Sequence, residues 1–209
     1  MQVSCMILSG GRATRMGGID KGLIELRKKS LIEHAIERIA PQVDELLINA
    51  NRSLEKYSTF NTPVYQDETA DFIGPLAGFK LALTHAKHEL ILIVPCDSPF
   101  LPNNLVSTLL SALVENKAEI VVTRSNGNVH PVICLCKKSV LPSLIHFIAS
   151  GQRKVSAWQK SLIYAEADFS NPNAIDSPNI NPIKDTFLNL NTPEELNTVE
   201  FLFPSPSTG

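Results

Sequence analysis

Val3-Ser4-Cys5-Met6-Ile7-Leu8-Ser9-Gly10-Gly11-Arg12-Ala13-Thr14-Arg15-Met16-Gly17-Gly18-Ile19-Asp20-Lys21 is the stretch on which the reading of this chain turns. The apolar run Val3 to Leu8 reads as a buried first strand, and it empties directly into a glycine-rich, cationic loop. Glycines let a backbone turn tightly and bring its N–H groups up to an anion. Arg12, Arg15 and Lys21 place full positive charge where phosphate oxygens would sit. With three cations and four glycines between Gly10 and Lys21, the loop reads as a nucleoside-triphosphate site rather than a solvated surface loop. Neither common phosphate fingerprint is present: there is no Gly-x-x-x-x-Gly-Lys-Ser/Thr and no Gly-x-Gly-x-x-Gly.

Strands and helices alternate outward from this loop. Apolar residues at 31, 32, 35, 36 and 39 have helical spacing, and Pro41 stops that helix. Glu45 to Ala50 reads as a second strand, and a short third strand near 63–66 leads to Asp67. Gly74-Pro75-Leu76-Ala77-Gly78 opens a helix to about His85. Glu89 to Pro95 is the continuous apolar run expected of a central parallel strand covered on both faces. A helix over 103–115 and a strand over 119–124 repeat the unit. The order predicts an α/β fold: an open, mostly parallel, Rossmann-like sheet flanked by helices on both faces. Asn126-Gly127 predicts a hairpin turn, and so a short antiparallel addition in the C-terminal half. Residues 168–184 read as a surface loop, Thr186 to Leu190 as a late strand, and Asn191 or Thr192 as the cap of a last helix. The tail from Phe203 reads as frayed, and no linker divides the 209 residues, so one domain is expected.

Composition bounds the function. At 44% hydrophobic, 19% charged and a formal net charge of -2, the chain offers no global attraction to nucleic acid or an anionic membrane. No apolar run approaches the roughly 20 residues of a membrane helix. The N-terminus lacks a basic region and cleavage site, so a cytoplasmic protein is expected. Cys5, Cys96, Cys134 and Cys136 form no Cys-x-x-Cys and read as reduced, mostly buried thiols.

In open α/β sheets, ligands bind beyond the carboxyl ends of the strands. Asp97, in Val94-Pro95-Cys96-Asp97-Ser98, sits at such an end. A carboxylate facing a polyphosphate repels it unless a divalent cation lies between, which makes Asp97 a Mg²⁺ ligand candidate. The competing role is a helix cap near residue 103, for which Asn103 is better placed. Asn49-Ala50-Asn51-Arg52 and Asp67 fall on the same rim. A carboxylate there can accept two parallel bonds from the N1–H and 2-amino edge of guanine, or it can simply cap a turn; spacing leaves both open. His34, His85, His88 and His146 form no cluster.

These motifs together carry a family resemblance. Leu8-Ser9-Gly10-Gly11, Arg15-Met16-Gly17-Gly18, Asp20-Lys21-Gly22-Leu23, Asn49-Ala50-Asn51-Arg52, Gly74-Pro75-Leu76-Ala77-Gly78, Pro95-Cys96-Asp97 and Asn189-Leu190-Asn191-Thr192-Pro193-Glu194-Glu195-Leu196 make the chain similar to the molybdenum cofactor guanylyltransferases. The opening signature is shared by many nucleotidyltransferases; the combination is more specific. The resemblance implies GMP transfer from MgGTP to the terminal phosphate of molybdopterin, with pyrophosphate released. It implies GTP contacts at Leu8, Ser9, Gly10, Lys21, Asn49, Asp67, Gly78 and Asp97, with Asp97 also the Mg²⁺ ligand. Arg15, Lys21 and Asp97 then carry catalysis, and Asn189 and Asn191 face the pterin. His130-Pro131 and Arg153 fall in similar surroundings. A nucleotide-binding part over about 1–124 and a pterin-side part over about 125–200 follow, with transient contacts to cofactor-delivery proteins and molybdoenzyme chaperones. Ser9 stands where the family usually has Ala, and the stretch 170–184 is longer than usual. A sugar-1-phosphate nucleotidyltransferase, a cytidylyl relative and a non-enzymatic GTP-holding adaptor are the competing readings.

Overall fold

The computed structural model describes residues 1–10, 20–67, 74–170, 186–190, 192, 195, 196 and 199. Its strands are β1 (Val3–Leu8), β2 (Glu25–Leu26), β3 (Lys29–Ser30), β4 (Glu45–Asn49), β5 (Val64–Tyr65), β6 (Leu90–Pro95), β7 (Ile120–Ser125), β8 (Asn128–Lys137) and β9 (Tyr164–Asp168). Its helices are α1 (Leu31–Ile39), α2 (Leu54–Ser58), α3 (Pro75–His85), α4 (Leu105–Glu115), α5 (Leu141–Ala149) and α6 (Val155–Gln159). Seven strands make one sheet in the order β5-β4-β1-β6-β8-β7-β9, and β2 and β3 form a separate antiparallel pair. β5, β4, β1 and β6 are mutually parallel. β8 runs against both of its neighbours, β6 and β7, while β7 and β9 are parallel. The mostly parallel sheet with a C-terminal antiparallel addition is therefore as the sequence predicts.

The apolar run of β6 is buried along its whole length because alternate residues serve two cores. Leu90, Leu92 and Val94 join one with Ile32, Ala35 and Ile39 of α1 and Leu105, Leu109 and Leu113 of α4. Ile91 and Ile93 join the other with Leu76, Phe79 and Leu83 of α3, Phe147 of α5 and Trp158 of α6. Helices thus cover both faces. A third, smaller cluster packs Leu26 and Leu31 against Leu190, Leu196 and Val199.

Local chemistry sets the boundaries. Ser30 begins α1 through a capping box, with the Glu33 carboxylate accepting from the Ser30 N–H at 2.6 Å. That bonding, first to the Ser30 side chain, holds the Glu33 carboxyl below its ordinary pKa. The Asn126-Gly127 turn has positive φ at both residues, 48° and 79°, which suits a two-residue hairpin. Thr192 and Glu195 exchange reciprocal bonds, Thr192 N–H to the carboxylate at 3.1 Å and Glu195 N–H to the hydroxyl at 3.2 Å, so Thr192 is the cap at that end of the chain.

Two expectations are corrected. Thr186 to Leu190 is turn and irregular chain, not a strand. Its Leu190 N–H is committed to the Asp97 carbonyl at 3.0 Å, beyond the end of β6, instead of to a neighbouring strand. Asn103 does not cap α4, whose first residue is Leu105; its carboxamide oxygen accepts from the Arg38 guanidinium at 3.1 Å.

Candidate functional site

The parallel strands β5, β4, β1 and β6 end on one rim, and each hands its next residues to it. Backbone bonds keep these exits level: Ser9 N–H donates to the Asn49 carbonyl at 2.8 Å, Cys96 N–H to the Leu8 carbonyl at 3.0 Å, and Ala50 N–H to the Tyr65 carbonyl at 3.0 Å. The rim therefore carries Ser9 and Gly10 after β1, Asn49 and Asn51 at the end of β4, Asp67 past β5, and Asp97 past β6.

Two charged groups meet at its centre. The Lys21 ammonium makes an ion pair with Asp97 Oδ2 across 76 residues of sequence. Asp97 is 7% exposed, and its other oxygen, Oδ1, is buried with no hydrogen-bond partner among the described residues. A buried carboxylate oxygen in that condition is costly unless something completes it. Mg²⁺ takes one or two carboxylates and fills its shell with phosphate oxygens and water, so this donor fits it.

Beside them lies an amide–carboxylate network. Asn49 Nδ2 donates to the Tyr65 carbonyl at 3.3 Å and to Asp67 Oδ1 at 3.0 Å. Both partners are acceptors only, which settles which way the carboxamide points. Asn49 Oδ1 consequently faces Gly10 and Gly78: a Cβ on Gly10 would lie 2.8 Å from that oxygen, and one on Gly78 3.0 Å from it. A side chain at either place would press on that oxygen, so both positions demand glycine. Asn51 Nδ2 donates to Asp67 Oδ2 at 2.7 Å and to the Gly10 carbonyl at 3.2 Å, while Asn51 Oδ1 accepts the Asp67 N–H at 2.8 Å. The face made by Asn49 Oδ1 and the Asp67 carboxylate therefore offers acceptors.

The far end of the glycine-rich loop is held from beneath. Tyr57, wholly buried on α2, donates its hydroxyl to Asp20 Oδ1 at 2.6 Å. Burial first, and the Asp20 bond second, push the phenol well above its ordinary pKa, so it remains a donor. Cys96 lies beneath Asp97; burial, then the Asp97 charge, push its thiol up to about 12. All four cysteines are buried and unpaired, as expected of inert thiols.

On the β8 side, Ser98 Oγ donates to Asn189 Oδ1 at 2.6 Å, which brings the late segment onto the Asp97 loop. His130 bonds Ser125 at 2.8 Å and lies 5.2 Å from the Phe187 ring, while the Arg153 guanidinium is occupied by the Ile148 and Gln152 carbonyls. Of the residues expected at the site, Leu8, Ser9, Gly10, Lys21, Asn49, Asp67, Gly78, Asp97 and Asn189 gather on this rim or against it. Arg15 and Asn191 lie outside the described residues. Tyr57 was not anticipated; one aromatic in a five-residue helix carries no sequence signal.

A family model described as "MobA-like NTP transferase domain" matches residues 5–165. A molybdenum cofactor guanylyltransferase of Shewanella sp. (strain MR-4) is 45% identical over 195 residues, covering 93% of each chain. One from Shewanella pealeana is 44% identical over 194 residues, covering 93% of this chain and 92% of the relative. Among solved structures, molybdopterin-guanine dinucleotide biosynthesis protein A from Archaeoglobus fulgidus superposes with a TM-score of 0.74 at 21% identity, covering 97% of this chain and 98% of the other. The 4-diphosphocytidyl-2C-methyl-D-erythritol synthase of Anaerococcus prevotii gives 0.72 at 12% identity, covering 96% and 95%. These last two likenesses establish the fold.

Proposed function

The chain belongs to the MobA-like NTP transferase family, and from that premise we propose that it transfers GMP from GTP to the terminal phosphate of molybdopterin, releasing pyrophosphate. It is a nucleotidyltransferase, like its relatives named molybdenum cofactor guanylyltransferase. The observation that carries the choice of base is the acceptor face made by Asn49 Oδ1 and the Asp67 carboxylate. Guanine presents donors on that edge, N1–H and the 2-amino group, whereas adenine presents an acceptor at N1. A mismatch leaves buried polar groups unpaired, which is how hydrogen-bonding sites discriminate strongly.

An oxygen of the acceptor phosphate attacks the α-phosphorus of GTP; the bond from that phosphorus to the bridging oxygen breaks, and pyrophosphate carries away the electron pair. The attacking phosphate is already ionised near neutral pH, so no general base is needed. The protein's work is alignment and charge compensation. Asp97 would hold Mg²⁺, which supplies charge neutralisation on the phosphate oxygens when bound. Lys21 leaves Asp97 for the leaving pyrophosphate and, with Arg15, stabilises the charge growing there. Gly10 brings its backbone N–H close to the nucleotide, with Ser9 beside it and Leu8 and Gly78 bordering the base. Asn189 and Asn191 face the pterin, and the chain is one domain whose nucleotide-binding part spans about 1–124 and whose pterin-side part spans about 125–200. The same reading sets the reaction in the cytoplasm, among cofactor-delivery proteins and molybdoenzyme chaperones.

Pyrophosphate release from purified protein, with Mg²⁺ and molybdopterin on a carrier, tests this against GTP, CTP and ATP. Release with GTP alone is expected. Release with CTP would make the protein a cytidylyl enzyme, and tight GTP binding with no release under any condition would make it an adaptor.

A further inference from the structure

We propose that Asn51 is a positioning residue for base choice, holding the Asp67 carboxylate in the orientation from which it reads guanine; this rests on the preceding assignment of Asp67 to the nucleotide. Among the described residues little besides Asn49 and Asn51 holds the Asp67 carboxylate. Asp67 follows β5, a strand of two residues at the edge of the sheet, so the ladder offers it scant support. Asn51 compensates with a reciprocal pair of bonds: its Oδ1 accepts the Asp67 N–H at 2.8 Å, and its Nδ2 donates to Asp67 Oδ2 at 2.7 Å. One bond fixes the Asp67 backbone and the other fixes the plane of the carboxylate. The remaining Nδ2 hydrogen goes to the Gly10 carbonyl at 3.2 Å, which ties this carboxylate to the start of the glycine-rich loop.

The hydrogen-bond inventory leaves Asn51 no donor to offer a ligand. A carboxamide has two N–H donors, and both of Asn51's are committed inside the protein. Its oxygen already serves the Asp67 amide. Asp67 is different: among the described residues each carboxylate oxygen accepts one bond, Oδ1 from Asn49 and Oδ2 from Asn51, and each keeps capacity for another. The two internal bonds select which lone pairs remain for the ligand. Without Asn51 the carboxylate is held on one side only, and rotation of its plane misaligns the acceptors that N1–H and the 2-amino group require. Asn51 thereby acts on base choice through Asp67, with no N–H of its own left for the nucleotide.

The test is equilibrium binding of GTP and of inosine triphosphate, which lacks the 2-amino group, measured calorimetrically with Mg²⁺ and no acceptor. The unaltered protein is expected to prefer GTP by about tenfold or more, the effect of one hydrogen bond to a charged group. Asn51→Ala is expected to compress that preference to under about threefold, as Asp67→Ala does, and the double variant to lose nothing further. Equal loss of affinity for both nucleotides in Asn51→Ala, with the preference intact, makes Asn51 a structural brace and overturns the proposal. Should Asp67→Ala keep the full preference, the assignment of Asp67 fails, and the proposal with it. If Asn51→Ala does not fold, Asn51→Thr is read by the same criterion, since it stays small and polar but is too short to engage the Asp67 N–H and carboxylate together.

Discussion

The two halves of the sheet share the same two cores, one on each face, but use their rims differently. In the half made of β5, β4, β1 and β6, every strand runs the same way and ends in a polar group: Asp67, Asn49, Ser9 and Asp97. These groups are bonded to one another or to the glycine-rich loop's end, so they behave as one unit. In the half beyond β6, the reversed strand β8 brings a hairpin turn to the rim instead of a strand exit. Pairing between β6 and β8 stops at Ile93 and Cys134, and the register with β7 shifts between Val122 and Thr123. Polar contacts there, Ser125 with His130, Arg124 with Glu166 at 3.4 Å and the Asn126 N–H on Ser170 Oγ at 2.9 Å, tie the hairpin to itself and to the end of β9. Strand direction shapes what a rim can do: four parallel exits converge groups from four separate stretches of sequence, whereas a hairpin fills two strand positions with one short turn.

That contrast can be broken most severely at Asp97. Asp97→Ala is expected to lower pyrophosphate release by about three orders of magnitude while thermal unfolding stays cooperative. Near-normal turnover with Mg²⁺ would end the metal assignment. Next comes Gly10→Ala, whose methyl would stand 2.8 Å from Asn49 Oδ1 and 2.9 Å from Asn51 Nδ2. Overpacking of that kind costs about 2 kcal/mol in urea unfolding, and GTP affinity should fall with it. Tyr57→Phe removes the hydroxyl from Asp20 and leaves the carboxylate short of a donor, an expected loss of about 1.5 kcal/mol. Calorimetry should show weaker GTP binding as well, since Asp20 adjoins Lys21; unchanged binding would show that the loop end needs no anchor. The mildest change is Gly127→Ala in the hairpin, where φ is +79° but nothing lies within 4 Å. It should cost about 1 kcal/mol through the left-handed backbone and leave GTP binding untouched. An equal effect of Gly10→Ala and Gly127→Ala on binding would erase the distinction between the halves.

Much of the parallel half is legible in the sequence because its signals are local. The apolar runs of β1, interrupted at Ser4, and of β6 demand two covered faces, and beyond that half Asn126-Gly127 announces the hairpin of β7 and β8. The β2–β3 hairpin escapes notice because its turn residues are Arg27 and Lys28, which adopt φ of 55° and 65° without being Asn or Gly. The edge strand β9 reads Tyr-Ala-Glu-Ala-Asp, whose four residues after Tyr164 are types that strands disfavour, and its pairing with β7 makes it one. Thr186 to Leu190 misleads in the opposite sense: its apolar residues serve the small cluster with Leu26 and Leu31 and the ring of His130, with no strand beside them. Placement of β8 between β6 and β7 depends on long-range pairing that no window of residues contains. At the site, residue types pointed to Lys21, Asp97, Asn49 and Asp67. The part played by Asn51 did not show, because it resides wholly in which of its atoms face which neighbours.

The bond from Ser98 to Asn189 joins residues 91 positions apart, and the Leu190 N–H on the Asp97 carbonyl spans nearly the same interval. A contact of that separation forms late, since the intervening chain must be ordered before the contact can stabilise it. During synthesis, β1, β4, β5 and β6 can pair and bury their faces while the segment that seats on Ser98 is still to be made. The rim is therefore finished from the far end of the chain, and a growing polypeptide has its core before it has its complete reaction centre.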